Sequence, residues 1–374
     1  MAGIYIHIPF CRQKCTYCDF ASFPKELGRQ ESYFACLYRE IKGRGEQLKG
    51  RVFDTVYFGG GTPSAVEPQY IAGAMKQIGN CFAVAPDAEI TLEVNPGTID
   101  EKKYEIYKKA GINRYSIGLQ TGFDGELRRL NRIHTAKDFL LACSLLKGER
   151  KSADILIGLH DQTEEQLLKT IDLALAGEVE HVSMYALTPE VGTPIYTDYL
   201  NGELPDGDEI ADLYDAGRRY LSEKGFHRYE VSNFAKEGCE SRHNANYWKR
   251  GEYIGLGVSA SSFIDERRFT NAFTLDEYMN AVILNKFPEI SSEQIDNEGA
   301  KFEMIMLALR TEKGLCVTEF NVRTGGDFFK DYAAALASQK NYLDISPEFV
   351  RIKEEYMYVQ NQIISAFMEK SDNF

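Results

Sequence analysis

The sequence predicts an α/β protein, a large parallel-sheet unit followed by a small C-terminal winged-helix-like domain. Three observations predict it. Six short runs rich in Val, Ile and aromatic residues alternate with amphipathic stretches through residues 3–224. The alternation then stops, and residues 228–290 turn polar, aromatic and rich in Gly, Ser and Asn. From about Ser291 a new pattern of helices and a strand pair begins.

The strand-like runs are Gly3–Ile8, Thr55–Phe58, Ile90–Val94, Tyr115–Leu119, Asp154–Leu159 and Val182–Leu187. Between and after them, helical periodicity covers Tyr33–Leu48, Gln69–Phe82, Glu101–Ala110, Ala136–Lys147, Glu164–Ala176 and Asp208–Lys224. Strict βα alternation implies a parallel sheet with right-handed crossovers, either doubly wound or curled towards a barrel that six units leave incomplete. Residues 1–227 form this core, and 228–290 read as an irregular segment completing it. In 291–374, Glu298–Thr311, Val317–Arg323 and Asp327–Gln339 read as helices, Tyr342–Ile345 and Phe349–Ile352 as a strand pair, and Tyr356–Met368 as a last helix.

Composition excludes several classes. At 374 residues and 44% hydrophobic, the chain is too large for one small domain. Lys and Arg number 43 against 56 Asp and Glu, a net charge of −13, which repels phosphate backbones and anionic lipid. No nucleic-acid partner is expected, and the helix Asp327–Gln339 carries only Lys330 against Asp327 and Asp331. No transmembrane segment is expected, because no run approaches the roughly 18 apolar residues of a membrane span. With no charged start or long apolar stretch at the N-terminus, the reading is a cytoplasmic protein. Eight cysteines are too sparse for a disulfide scaffold.

Three of those cysteines, Cys11, Cys15 and Cys18, are spaced C-x3-C-x2-C directly after the first strand. Three thiolates suit a cubane iron-sulfur cluster that keeps one iron open, whereas zinc needs a fourth ligand, for which His7 or Asp19 is near in sequence. The aromatic neighbours Tyr17 and Phe20 would shield a cluster from solvent. Gly59, Gly60 and Gly61 end the second strand, where backbone can approach a ligand closely. Glu93 and Gln120 fall at carboxyl ends of strands, and Asp154 belongs to the fifth; that end carries the ligand groups of parallel barrels. Cys36, Cys81 and Cys143 lie in helices and read as buried thiols, while Cys316 is isolated and Cys239 stands four residues before His243.

The cysteine spacing, with Tyr17 just before the last cysteine, resembles the radical S-adenosylmethionine (SAM) superfamily. Tyr5-Ile-His-Ile-Pro-Phe-Cys11, Cys18-Asp19-Phe20 and Tyr57-Phe-Gly-Gly-Gly-Thr-Pro63 are similar to its oxygen-independent coproporphyrinogen III oxidase-like family. The resemblance implies a partial (β/α)6 radical SAM barrel, a [4Fe-4S] cluster on Cys11, Cys15 and Cys18, and SAM held by Tyr5, Tyr17, Gly60, Gly61, Thr62, Glu93, Gln120, Arg132 and Asp154. His160 stands where the family usually has Pro.

Arg242-His-Asn-Ala-Asn-Tyr-Trp248 matches an H-N-x-x-Y-W segment carried by a heme-chaperone branch of that family. This implies heme at His243, Tyr247 and Trp248, with Arg242 or Lys249 for its propionates. It further implies acceptor hemoproteins, membrane-bound respiratory proteins among them, and an electron donor if SAM is cleaved. In the family's dehydrogenases a further cysteine stands where this chain has Phe20, and an N-terminal extension precedes the motif. The resemblance therefore favours a chaperone over a radical enzyme acting on a tetrapyrrole or other substrate, and no catalytic residue is assigned. An interaction protein with a purely structural cluster leaves the Gly59–Thr62 segment unexplained.

Overall fold

The computed structural model describes residues 2–368. Its core is six strands: β1 (Ala2–Ile8), β2 (Val52–Gly60), β3 (Ala83–Val94), β4 (Arg114–Gln120), β5 (Arg150–Ile157) and β6 (His181–Ala186). They lie side by side in chain order, every neighbouring pair parallel. An order without reversal places all right-handed crossovers on one face, so the sheet curls into a partial barrel and is not doubly wound.

The covering helices are Gln30–Gln47, Pro68–Cys81, Glu101–Lys109, Ala136–Leu145, Glu164–Ala176 and Gly207–Glu223. Their starts are fixed locally. Asp100 caps the third, and Thr135 with Asp138, Thr163 with Gln166, and Asp206 with Glu209 form reciprocal capping boxes. Alternation along the strands sorts the side chains. Ile4, Ile6, Val56, Phe58, Leu92, Ile117, Ile155, Val182 and Met184 are buried in the apolar core. The opposite face carries Tyr57, Glu93, Ser116, Asp154 and Ser183, all lining one internal cavity. Unlike a closed barrel filled with branched aliphatics, this interior is polar.

Residues 228–290 are largely regular, not irregular as expected. They supply β7 (His227–Arg228, beginning one residue earlier), β8 (Asn233–Ala235), β9 (Glu252–Leu256), β10 (Ser261–Ile264), β11 (Arg267–Asn271) and β12 (Glu289–Gln294), with helices Arg242–Trp248 and Leu275–Ile283. β9 pairs parallel with β1 and β8 antiparallel with β6, so the sheet runs β12-β11-β10-β9-β1-β2-β3-β4-β5-β6-β8-β7. Glu40 staples this extension to the first helix, accepting from Gly257 N–H at 2.8 Å, Asn271 Nδ2 at 2.7 Å and Tyr278 OH at 2.7 Å.

Residue 291 falls inside β12, so the main sheet continues through Gln294. A second apolar cluster, including Ile305, Leu309, Phe320, Phe328 and Val350, gathers beyond it. It joins helices Asn297–Ala308 and Val317–Thr324 to a small sheet of β13 (Leu315–Cys316), β14 (Leu343–Ile345) and β15 (Phe349–Ile352), ordered β13-β15-β14. The stretch Asp327–Gln339 is two helices, Phe328–Asp331 and Ala333–Gln339, because Tyr332 leaves helical geometry and its ring packs on Phe328, 5.3 Å between centroids. Tyr356–Met368 is likewise split into a 3-10 turn, Glu354–Val359, and a short helix, Gln360–Ser365. Residues 369–374 of the expected C-terminal domain lie outside the described residues. Arg250, almost fully buried, ties the module to the sheet through Glu303 at 2.7 Å and Glu266 at 2.6 Å.

Candidate cofactor site

The loop after β1 is pinned on every side by backbone bonds. Phe23 N–H donates to Pro9 O at 2.7 Å, Thr62 N–H to Phe10 O at 2.8 Å, Thr16 N–H to Leu130 O at 3.1 Å, and Ile195 N–H to Thr16 O at 3.1 Å. Tyr17 packs on a small cluster of Leu130, Leu156, Leu159, Leu187 and Ile195. Cys11, Cys15 and Cys18 thereby face one cavity of about 360 Å³. Thr62 Oγ1 donates to Cys11 Sγ at 3.3 Å, and Arg132 Nη1 to Cys15 Sγ at 3.5 Å. Burial pushes the Cys11 and Cys18 thiols up, so loading a cluster on them would release protons.

Of the two residues that could complete a zinc site, His7 is not available. His7 is committed, its Nε2 bonded to Ala21 O at 2.8 Å and its Nδ1 to Tyr5 OH at 3.1 Å. Among the described residues, the one trio of ligand-type atoms mutually within 4.8 Å is His160, Asp198 and Glu203. The three cysteine sulfurs are not such a close trio, and three thiols on one cavity suit a cubane cluster that keeps one iron open. His160 pairs with Asp198 at 3.0 Å, anchoring the helix Ile195–Leu200.

The same cavity is lined by Tyr17, Gly60, Gly61, Thr62, Glu93, Gln120, Arg132 and Asp154. A Cβ on Gly61 would stand 2.8 Å from Phe10 O and 3.0 Å from Cys11 Sγ, so only glycine lets β2 pass under the cysteine loop. Gly60 has φ +111°, and its Cβ would strike the His7 ring at 2.6 Å, so its need for glycine comes from the wall behind the cavity. Its N–H donates to Glu93 Oε2 at 3.2 Å while Tyr57 OH donates to Oε1 at 2.9 Å. Burial first, and the neighbouring Asp154 second, raise Glu93 to about 8. Asp154 is raised by burial and accepts from Ser116 Oγ at 3.2 Å. It lies mid-strand, opposite Gly118 and Ser183, and not at the carboxyl end, since β5 continues three residues beyond it to Ile157.

Tyr5 does not line the cavity. It stacks behind Tyr57, 6.2 Å between centroids, and helps hold that wall. Two wall groups, Arg132 Nε and Asn95 Oδ1, are buried without a partner. With two buried carboxyls and a guanidinium, they suit a ligand bearing both positive charge and a carboxylate, which SAM is. Asn95, Ser116, Ser183, Tyr185 and Asn244 also line the space, and sequence reasoning missed them. The strand alternation that places Glu93 and Asp154 inward would have found Ser116 and Ser183.

Residues 5–174 match the Radical SAM superfamily model and 295–357 the HemN C-terminal domain model. The heme chaperone HemW of Synechocystis sp. is 34% identical, covering 97% of this chain and 95% of the relative. HemW of Escherichia coli is 32% identical over 98% of each chain. This chain belongs to the HemW family of radical SAM proteins. HemW of Bacillus subtilis is 30% identical, covering 98% of this chain and 99% of the relative. The solved coproporphyrinogen III oxidase HemN of Escherichia coli, titled a radical SAM enzyme, superposes with a TM-score of 0.86 at 20% identity, covering 98% of this chain and 89% of that one, which establishes a common fold.

The H-N-x-x-Y-W segment of this HemW relative is not an exposed loop. Arg242–Trp248 is a helix capped by Ser241, and His243 is 1% exposed. Its Nδ1 shares a 2.7 Å hydrogen bond with Thr55 Oγ1 and its Nε2 a 2.8 Å bond with Tyr247 OH, while its ring stacks on Tyr57 at 5.0 Å. Burial drives its pKa down to about 3, keeping the ring neutral. Both nitrogens are spent, so this histidine does not present itself to an iron. Arg242 is also engaged, by Asp87 O at 2.7 Å. Asn244 faces the SAM-type cavity, whereas Ala245, Trp248 and Lys249 face a second one.

Proposed function

We propose that the protein is a cytoplasmic heme chaperone that binds heme and hands it to acceptor hemoproteins, with a [4Fe-4S] cluster and SAM in the barrel cavity. The observation that carries this reading is full-length likeness to proteins named heme chaperones, joined to a cavity whose three thiols and buried carboxyls suit the two cofactors. Among the described residues, no helix is long and apolar enough to cross a membrane, so delivery to a membrane-bound respiratory acceptor would proceed by docking.

Cys11, Cys15 and Cys18 would hold the cluster, and Tyr17, Gly60, Gly61, Thr62, Glu93, Gln120, Arg132 and Asp154 would surround SAM. When bound, the pair supplies one-electron reduction of a sulfonium, for which a separate electron donor is needed. The chain's own part is to exclude water with the Tyr17 cluster, place carboxylates against positive charge, and hold thiolates in a pinned loop. The exposed Phe20, at the mouth of this cavity, offers no fourth sulfur for porphyrinogen chemistry.

The test is anaerobic incubation of the cluster-loaded protein with SAM, dithionite and coproporphyrinogen III, beside a heme titration. The reading expects one heme bound per chain and the porphyrinogen unconsumed. Stoichiometric decarboxylation with 5′-deoxyadenosine release would make it an enzyme instead.

A further inference from the structure

The second cavity lies between the barrel and the C-terminal module, at the amino ends of the strands, and takes Arg242, Ala245 and Trp248 from the H-N-x-x-Y-W stretch but not His243. It measures about 480 Å³ and shares no lining residue with the cysteine cavity. Arg150, the first residue of β5, contributes to it, whereas Asp154 and Leu156, further along that strand, line the other. The short helix Arg242–Trp248 stands between them.

The chemistry of its wall is specific. Trp248, the chain's only tryptophan, joins Ala245, Met304, Ala308 and Leu315 as apolar surface. Around it stand cations: Arg150, Arg242, Lys249, Arg250, Lys313 and Arg323. Three carboxylates also border the space, Glu240, Glu312 and Glu319. The arginines are largely committed, Arg150 to Glu89 at 3.7 Å, Arg242 to Asp87 at 3.4 Å, Arg250 to Glu266 and Glu303, and Arg323 to Glu319 at 3.3 Å. Lys249 and Lys313 are exposed and, among the described residues, have no carboxylate within 4.0 Å. In a chain of net charge −13, two uncommitted lysines beside a tryptophan favour an amphipathic anion.

One wall residue adds a ligand atom. His227 Nε2 is held by Glu240 Oε1 at 2.9 Å, and no bond among the described residues engages its Nδ1. A carboxylate on one ring nitrogen with the other left free is the arrangement that orients a histidine for metal. It contrasts with His243, whose two nitrogens are both bonded.

We propose that this cavity is a binding site for a dicarboxylic porphyrin, with the macrocycle against Trp248, the carboxylates at Lys249 and Lys313, and the iron of heme on His227. The site rests on the heme-chaperone reading and gives that reading a location other than His243. An open mouth between two units suits a ligand that must leave again.

The test titrates heme, and separately metal-free protoporphyrin IX, into the full chain, the double variant Lys249→Glu/Lys313→Glu, the variant His227→Ala, and a control reversal at the remote exposed Lys76. Both porphyrins should bind the parent and the control equally, and the double variant at least tenfold more weakly, with its cluster absorbance and SAM affinity unchanged. His227→Ala should shift the Soret band of heme while leaving protoporphyrin affinity as it was. Heme binding that survives the double reversal undiminished would overturn this site and leave the chaperone reading standing. An unmoved Soret band in His227→Ala would overturn the iron ligand. A parent that binds no heme would overturn both the site and the function it rests on.

Discussion

Glu93 is a carboxyl held near pKa 8 inside a cavity suited to a cation, which makes ligand binding a proton-linked event. Because its folded value lies above the ordinary 4.5, the folded state binds more protons than the unfolded one, and this group lowers stability as pH rises from about 4.5 through 8. Positive charge on a bound ligand favours the ionised carboxylate and reverses that penalty. SAM affinity should therefore rise between pH 6 and 8, with proton release visible by calorimetry in buffers of different ionisation enthalpy. Glu93→Gln should flatten the profile, and an equally flat parent would remove Glu93 from the site. His243→Ala should cost about 2–4 kcal/mol, since it opens a buried cavity and strands the hydroxyls of Thr55 and Tyr247, so a variant melting at the parent's temperature would contradict the burial described. The cysteines were legible in the sequence because their ligand geometry is a matter of spacing over a few residues. His243 was not, because its partner Thr55 is 188 positions away and only the barrel's closure against the helix brings them together.

The cysteine loop has one fixed shape, set by Pro9, Phe10, Leu130 and Ile195, so each of its three thiols is needed. Replacing any one of Cys11, Cys15 or Cys18 by Ala should abolish the visible absorbance of the reconstituted cluster. Cys36→Ala and Cys239→Ala should leave it intact, Cys36 being on the buried face of the first helix and Cys239 outside the cavity. Equal loss in either would reassign the ligands. The six core strands and their helices were legible because each carries its own periodicity and four of the helices carry their own cap. The strands of 228–290 were not: most are five residues or fewer, and they take strand form from the neighbour each pairs with at the sheet edge. The break at Tyr332 was hidden for a similar reason, since the aromatic cluster that turns the residue inward is assembled from Phe320, Phe328 and Phe367.

At the scale of the molecule, two packed units meet along a charged seam, where Arg250 and Arg268 both reach Glu303, at 2.7 and 2.8 Å. Arg250 is nearly buried, so Glu303→Ala should cost roughly 1–3 kcal/mol by leaving it half-paired and should speed amide exchange in Asn297–Ala308. Unchanged exchange there would mean that other contacts hold the module. As proposed, the chain is a carrier, with cofactors inside the barrel and a cargo that departs. The most direct measurement loads the full-length protein with one heme, mixes it with an excess of a heme-free apo-hemoprotein, and follows the Soret band of each against the rate at which free heme is captured. A chaperone should transfer its heme to the acceptor faster than heme dissociates into a scavenger. Transfer no faster than spontaneous release, or heme retained against the acceptor, would contradict the assignment.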